Sequence, residues 1–453
     1  MKDMTTGSPF RLILTFALPL LLGNILQQFY NVADAAIVGR FLGSGALAAV
    51  GATSSVQFLI LGFCSGACAG FCVPITQRFG AQHYISMRML LYNSILISAA
   101  VAAVLTSLCL IFCDSILRIL STPVDIWDDT RIYILIIFIG IPFTILYNLA
   151  AGVLRAVGDS RTPFLILAVS TVTNILLDLF CIAVLKWGCA GAAIATVASQ
   201  AFSGVLCTYF IFRKYDILRI KPEERRADRL RIRQLAIVGI PMGLQFSITA
   251  IGSMVMQSAN NSLGSVYVSA FTAAARIKMF AMSPFDAVAS GVATFCSQNY
   301  GAGKYTRIRD GVRIGMLISI VYGIIIGVCM ILFGRTACLL FIPSDETWIL
   351  DPAHQYLRCM GYLFWVLGIL YISRITVQSL GFSGRAMLSG VMEMIARILI
   401  VSLFVHQYGF NVICWTDQAA WTAGDLYIVP TCVLVLRKIR SALESRKQSP
   451  EPF

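Results

Sequence analysis

The chain has 453 residues, of which 58% are hydrophobic and 13% charged, with a mean hydropathy of +0.80. Soluble domains carry about 25% charged residues, so this composition excludes an ordinary soluble protein and specifies a polytopic membrane protein. The net charge of +13 would suggest nucleic acid as a partner of a soluble chain. Here the basic residues sit in short connections between apolar runs, and a membrane accounts for them without nucleic acid.

A helical span needs about 20 apolar residues, and runs of that length fill the chain. The spacing predicts twelve: 10–38, 46–75, 89–113, 131–154, 163–186, 188–212, 234–260, 265–296, 313–334, 355–381, 386–407 and 412–436. Strands of a membrane barrel would instead alternate over about 10 residues. The first run is too long for a signal peptide and lacks a small-residue cleavage pattern, so it reads as a retained span. In the second, Cys64, Cys68 and Cys72 share one helix face. That helix is otherwise apolar and glycine-rich, which suits packing rather than a metal. The fifth and sixth spans almost touch at Trp187-Gly188 and form a tight hairpin. Between the sixth and seventh lies the longest charged stretch, 213–233, with nine Lys/Arg and four Asp/Glu. It reads as a solvated linker near anionic lipid heads.

One set of span ends carries Lys2, Arg78, Arg88, Arg155, Arg161, Lys304, Arg307, Arg309, Arg313 and Arg385, with the linker and the basic tail on the same side. The opposite connections carry Asp125, Asp128 and Asp129, and Asp345, Glu346 and Asp351. The excess of Lys/Arg puts both termini in the cytoplasm, which agrees with an even number of spans. The halves also repeat. Gln77-Arg78-Phe79-Gly80-Ala81 ends the second span and Gln298-Asn299-Tyr300-Gly301-Ala302 the eighth. At like offsets Phe41-Leu42-Gly43 matches Ser262-Leu263-Gly264, Arg155-Ala156-Val157-Gly158 matches Gln378-Ser379-Leu380-Gly381, and Pro19 matches Pro241. The expected organisation is an all-α protein of two six-helix lobes related by a parallel repeat: an N-lobe over 1–212, a cytoplasmic linker over 213–233, a C-lobe over 234–440 and a tail over 441–453. A substrate cavity is expected between the lobes.

A carboxylate inside a span costs about 2.5–3.5 kcal/mol on insertion scales, so acids there are functional candidates. The N-lobe acids are Asp34 in the first span and Asp178 in the fifth. Asn174 lies one turn before Asp178 on the same face, and Thr196 is in the adjoining sixth span. Two carboxylates, an amide and a hydroxyl suit a proton or a sodium ion. Gln28 and Asn31 of the first span, with Tyr30, Tyr147 and Tyr371, are candidates to line a pocket for organic cations. Arg276, Lys278, Asp286 and Arg374 could line that pocket or pair with other helices, and Asp425 is equally ambiguous. Glu393 and Arg397, acid first at i, i+4, read as a structural ion pair. Pro19 and Pro142 each remove a helix hydrogen bond and are expected to kink their spans. The chain has no GxxxxGK[ST] loop, and His83, His354 and His406 are far apart. The expectation is therefore no enzyme and no cofactor beyond H+ or Na+ as coupling ion, with no metal except sodium at Asp34 and Asp178.

Several of these segments together resemble the multidrug and toxic compound extrusion (MATE) transporters. They are Ala17-Leu18-Pro19, Asn31, Asp34 and Val38-Gly39-Arg40-Phe41-Leu42-Gly43, then Gln77-Arg78-Phe79-Gly80-Ala81 and its repeat through Gly303-Lys304, and Leu154 to Asp159 with Thr162-Pro163. The resemblance implies a V-shaped pair of lobes around a central cavity. It also implies export of cationic or amphipathic small molecules against H+ or Na+, from the plasma membrane, by a bacterial inner-membrane monomer. Asp34, Asn174, Asp178 and Thr196 match the N-lobe cation site of the DinF-like branch, and Pro19 matches the proline where the first helix of that branch bends. The acid pair of the NorM-like branch, in spans seven and ten, is missing. Two alternatives remain at this level: a lipid-linked oligosaccharide flippase of the same superfamily, which would want a cationic cavity, and a membrane-embedded enzyme or channel.

Overall fold

The computed structural model describes residues 2–120 and 122–448, and their regular structure is helical throughout. The last five residues of the expected tail, 449–453, lie outside the described residues. Eleven helices are individually long and apolar enough to cross a membrane, and one bent pair does so together. In chain order the spans are α1 (Pro9–Gly43), α2 (Gly45–Gly80), α3 (Tyr84–Ile111), α4 (Val124–Ile139 with Ile141–Ala156), α5 (Arg161–Val184), α6 (Gly188–Lys214), α7 (Arg229–Asn261), α8 (Ser265–Gly301), α9 (Tyr305–Cys338), α10 (Thr347–Ser379), α11 (Ser383–Tyr408) and α12 (Phe410–Ser445). Each expected span has its helix.

The repeat in sequence is also a repeat in backbone. Gly43 turns α1 into α2 at φ 88° and ψ −178°, and Gly264 turns α7 into α8 at φ 108° and ψ 165°. Nothing lies within 4 Å of a Cβ placed on either residue, so conformation rather than space requires glycine there. Gly158 (φ 80°) and Gly381 (φ 92°) form a second matched pair, after α4 and α10.

The two segments of α4 meet at 44°. Pro142 sits at the start of the second segment and can donate no backbone hydrogen bond, which explains a break at this point. Around Pro19 the backbone stays helical, since only Gly43 departs from helical φ/ψ between Pro9 and Gly80.

Two compact units emerge, and they do not divide at the linker. One is built on Leu22–Gly243, the other on Met4–Leu21 together with the chain from Leu244 onward. The divisions fall inside α1 and α7, for reasons of packing. Leu12, Ile13, Phe16 and Ala17 bury their side chains in the second unit's core, with Phe285, Phe295, Phe364 and Trp421. Gly291 lets α1 come close there, because a Cβ on it would lie 3.1 Å from the Ile13 carbonyl oxygen. Leu235 of α7 joins the first unit's core with Phe71, Ile75, Met87 and Phe138. A Cβ on Gly239 would lie 2.2 Å from the Phe71 ring.

The segment before each of these two helices is tied down. Met4 N–H donates to Gln298 Oε1 (2.9 Å), and the Met4 carbonyl accepts from Asn299 Nδ2 and Arg307 Nη2 (both 3.1 Å). The linker, expected to be solvated, is strapped to the first unit in the same way. Arg88 forks onto Glu224 through Nε (2.7 Å) and Nη2 (2.6 Å). Asn93 donates to the Arg226 carbonyl (3.1 Å) and accepts from Asp228 N–H (2.9 Å). Tyr215 donates to Asp159 Oδ2 at 2.5 Å. Burial alone would raise the Asp159 carboxyl, but donors from Thr162 and Tyr215 and the Lys214 ammonium outweigh it and hold the group below its ordinary value.

Hydrogen bonds from Arg88 hold Glu224 below its ordinary 4.5, against the upward push of burial. A carboxyl depressed on folding stabilises the strapped state fully above its unfolded value and loses that contribution as pH falls through the folded one. Limited proteolysis within 213–233 should therefore be slow at neutral pH and speed up below about pH 4. Glu224→Gln should be cut at neutral pH severalfold faster than wild type. Equal cleavage of the two proteins would mean that the Arg88 pair does not hold the linker.

Candidate functional site

Asp34 and Asp178 come together within the first unit. Each acid is followed one turn later by a buried anchor, Val38 in α1 and Ile182 in α5. These anchors join Ala46, Tyr133, Ile137, Cys189, Ala192 and Ala193 in a small apolar cluster of their own. That cluster fixes the two helices in register and brings the acids within hydrogen-bonding reach of each other. Asp178 is fully buried. Just after it, α5 widens into a π-helical turn over Phe180–Val184, a feature frequent at functional sites.

No donor among the described residues reaches Asp34 Oδ1 or either oxygen of Asp178, although all three atoms are shut away from solvent. Ionised carboxylates only accept hydrogen bonds. Two of them can share a contact only through a proton or a cation. Asn174 adds a third acceptor to this group. Its Nδ2 donates to Ser199 Oγ (3.3 Å), while its Oδ1 is buried with no donor. Ser199 in turn donates to the Thr196 carbonyl (2.8 Å), and the Thr196 hydroxyl lies 3.3 Å from Tyr30 Oη. Farther along the α5–α6 contact, Ser203 Oγ lies 2.5 Å from Ser170 Oγ and the Ser170 hydroxyl donates to the Ser199 carbonyl (3.0 Å).

Tyr30 thus stands beside the acids. Sequence reasoning missed Tyr133, which is buried beside both acids with its hydroxyl in reach of Gln57. It also missed Ser199. A tyrosine or a serine in an apolar span gives no cost signal of the kind an acid does. Of the other first-span candidates, Asn31 is exposed and accepts from Gln27 Nε2 at 3.5 Å, and Gln28 is half-buried. Tyr147 is half-buried on α4.

The second unit holds a different arrangement, a chain of buried charges. Arg374 pairs with Glu393 and donates from Nε to Ser389 Oγ (3.0 Å). Glu393 faces Arg397 at 3.7 Å, and Arg397 faces Asp417 at 3.3 Å. Asp417 also takes Lys278 and accepts from Tyr356 Oη at 2.8 Å. The Glu393–Arg397 pair is therefore present, as part of a longer network. Arg374, which has no carboxylate one turn away, finds its acid on α11. Asp417 was overlooked in the sequence, although a carboxylate inside the twelfth run carries the same cost as Asp34. Asp425, with Arg374 and Glu393 as its charged neighbours, stands close to this network. Asp286 is exposed at mid-span and in reach of the Tyr371 hydroxyl. Arg276 is exposed and has no ion pair among the described residues. No group of three or more His, Cys, Asp or Glu among the described residues could hold a metal ion.

Two six-span halves with matching turns and an acid pair buried among helices define a secondary transporter. The MatE family model matches the chain twice, over residues 19–180 and 241–411, and the chain belongs to that family, the MATE transporters. It is a multi-pass membrane transporter of the efflux class, not an enzyme. It is 27% identical over 428 residues to the probable multidrug resistance protein YpnP of Bacillus subtilis (strain 168), covering 92% of this chain and 91% of that one. To the probable multidrug resistance protein YoeA of the same organism it is 29% identical over 381 residues, covering 83% and 82%. A crystal structure of MATE in the bent conformation superposes with a TM-score of 0.89 at 21% identity, covering 97% of this chain and 98% of that chain.

Removing one member of a buried ion pair costs about 3–5 kcal/mol, more than the pair itself contributes. Asp417→Leu leaves Lys278 without its acid and Arg397 with one acid fewer, so it should lower the thermal unfolding midpoint of the purified protein sharply. Asp417→Leu combined with Lys278→Met should recover part of that loss. A single variant that melts with wild type would show that the network does not stabilise the fold.

Proposed function

We propose that this transporter exports cationic or amphipathic organic compounds in exchange for H+ or Na+, with Asp34, Asp178, Asn174 and Thr196 taking up the coupling ion. The observation that carries this reading is the buried contact of Asp34 with Asp178, where three carboxylate oxygens lack any donor. Uptake of the ion lets the pair stay together, and release of it drives the acids apart. A ligand shifts a conformational equilibrium only by its differential affinity for the two states, and an acid pair supplies that difference for a cation. Pro19 is the proposed bending point of α1. The relatives named for multidrug resistance support the substrate class. The proposed setting is a bacterial inner membrane, with the linker and both termini in the cytoplasm and the chain working as a monomer.

The flippase alternative needed Arg276, Lys278 and Arg374 as free cavity cations. Lys278 and Arg374 are each matched with an acid, which leaves that reading with Arg276 alone.

Asp34→Asn and Asp178→Asn should each lower gradient-driven export of a cationic dye from proteoliposomes by about tenfold or more, equivalent to at least about 1.4 kcal/mol of lost coupling. Dye binding without a gradient should persist. Imposing proton and sodium gradients separately identifies the ion. Export at wild-type rates by both variants would rule out the coupling role.

A further inference from the structure

A half-open groove of about 400 Å³ runs between α3, the second segment of α4 and α6 in the first unit. Its lining is apolar apart from Ser98 and Thr208, and the Thr208 hydroxyl turns back to the Gly204 carbonyl at 2.8 Å. Ile95, Phe143 and Phe212 line it and are at the same time exposed on the spanning helices, so it opens onto the apolar surface that faces lipid. It lies at the linker end of these helices, since Leu91 is in the second turn of α3 and Phe212 in the last turn of α6.

The rim at that end is basic. Arg219 donates from Nε to the Phe212 carbonyl (2.8 Å), which places its guanidinium at the groove's edge. Its acid neighbour, Asp216 at 2.9 Å, is 85% exposed and screened by water. Arg213 is exposed and stacks over the Tyr209 ring, 5.6 Å from its centroid. An apolar slot in the span that ends in arginines at the membrane surface has the polarity of an anionic phospholipid. We propose that the groove holds one acyl chain of an anionic phospholipid, with the headgroup against Arg213 and Arg219. The chain would lie along Pro142, at the 44° break of α4. The first segment of α4 carries Tyr133 to the acid pair, so the lipid would pack against the same bent helix that lines the ion site.

The test uses the full chain in phosphatidylcholine vesicles, with a phosphatidylglycerol or a phosphatidylcholine probe carrying a mid-chain diazirine. Illumination followed by peptide mass spectrometry should place the phosphatidylglycerol cross-links mainly within 91–102 and 142–153. Ala99→Phe, which fills the groove from an exposed position, should cut labelling there about tenfold and leave other helices unchanged. Arg213→Gln and Arg219→Gln should each reduce the preference for phosphatidylglycerol by about fivefold, at ~1 kcal/mol per surface cation. Even labelling of all lipid-facing helices would overturn the proposal, as would insensitivity to Ala99→Phe or equal labelling by the two probes in wild type. Loss of the cross-links on adding a cationic dye alone would make the groove a drug subsite and would equally overturn it.

Discussion

Two carboxylates brought together inside a span, with three of their four oxygens shut away from solvent and from any donor among the described residues, repel each other when both are charged. That constraint organises the first unit. The acids Asp34 and Asp178 are supplied by helices far apart in the chain, and a small apolar cluster one turn below each acid holds them in register. Asn174 turns its amide nitrogen to Ser199 and leaves its oxygen on the acceptor side of the site. Three carboxylate oxygens and the Asn174 amide oxygen are buried there without a donor among the described residues. The second unit meets the same dielectric problem in the opposite way. Its fully buried acids, Glu393 and Asp417, are matched with Arg374, Arg397 and Lys278.

Much of this was legible in the sequence, because lipid makes polar groups conspicuous. Span number, connections and the internal repeat all follow from apolar length and turn residues. Asp34 and Asp178 stand out by cost, and Asn174 follows from helical spacing. What stayed hidden depends on contacts between distant elements. Lys278 and Asp417 are far apart in sequence, and no spacing rule joins them. The linker's charges looked like a solvated run because their partners, Arg88 and Asn93, lie on a helix in the preceding half. Tyr133 and Ser199 are common residues in membrane helices and become informative only once the acids beside them are located.

The division of cores through α1 and α7 has the same origin. Hydropathy marks each as one continuous span, yet packing assigns its two ends differently. Leu12, Ile13 and Phe16 belong to one core, whereas Val38 belongs to a cluster of the other unit. Proline stands near both divisions, at Pro19 and Pro241, where a missing backbone donor weakens the helix. The family model begins its two matches at these same two residues.

This division has a consequence for biosynthesis. The ribosome delivers the chain from its first residue, but the first unit needs Leu235 and Gly239, so its core cannot close until α7 has been made. The opening residues of α1 belong with Phe295 and Trp421, which emerge far later. Until then the apolar face formed by Leu12, Ile13 and Phe16 has no partner within its own unit, and something else must shelter it. During synthesis the bilayer or the insertion machinery therefore covers that face of the first helix in place of its later partners.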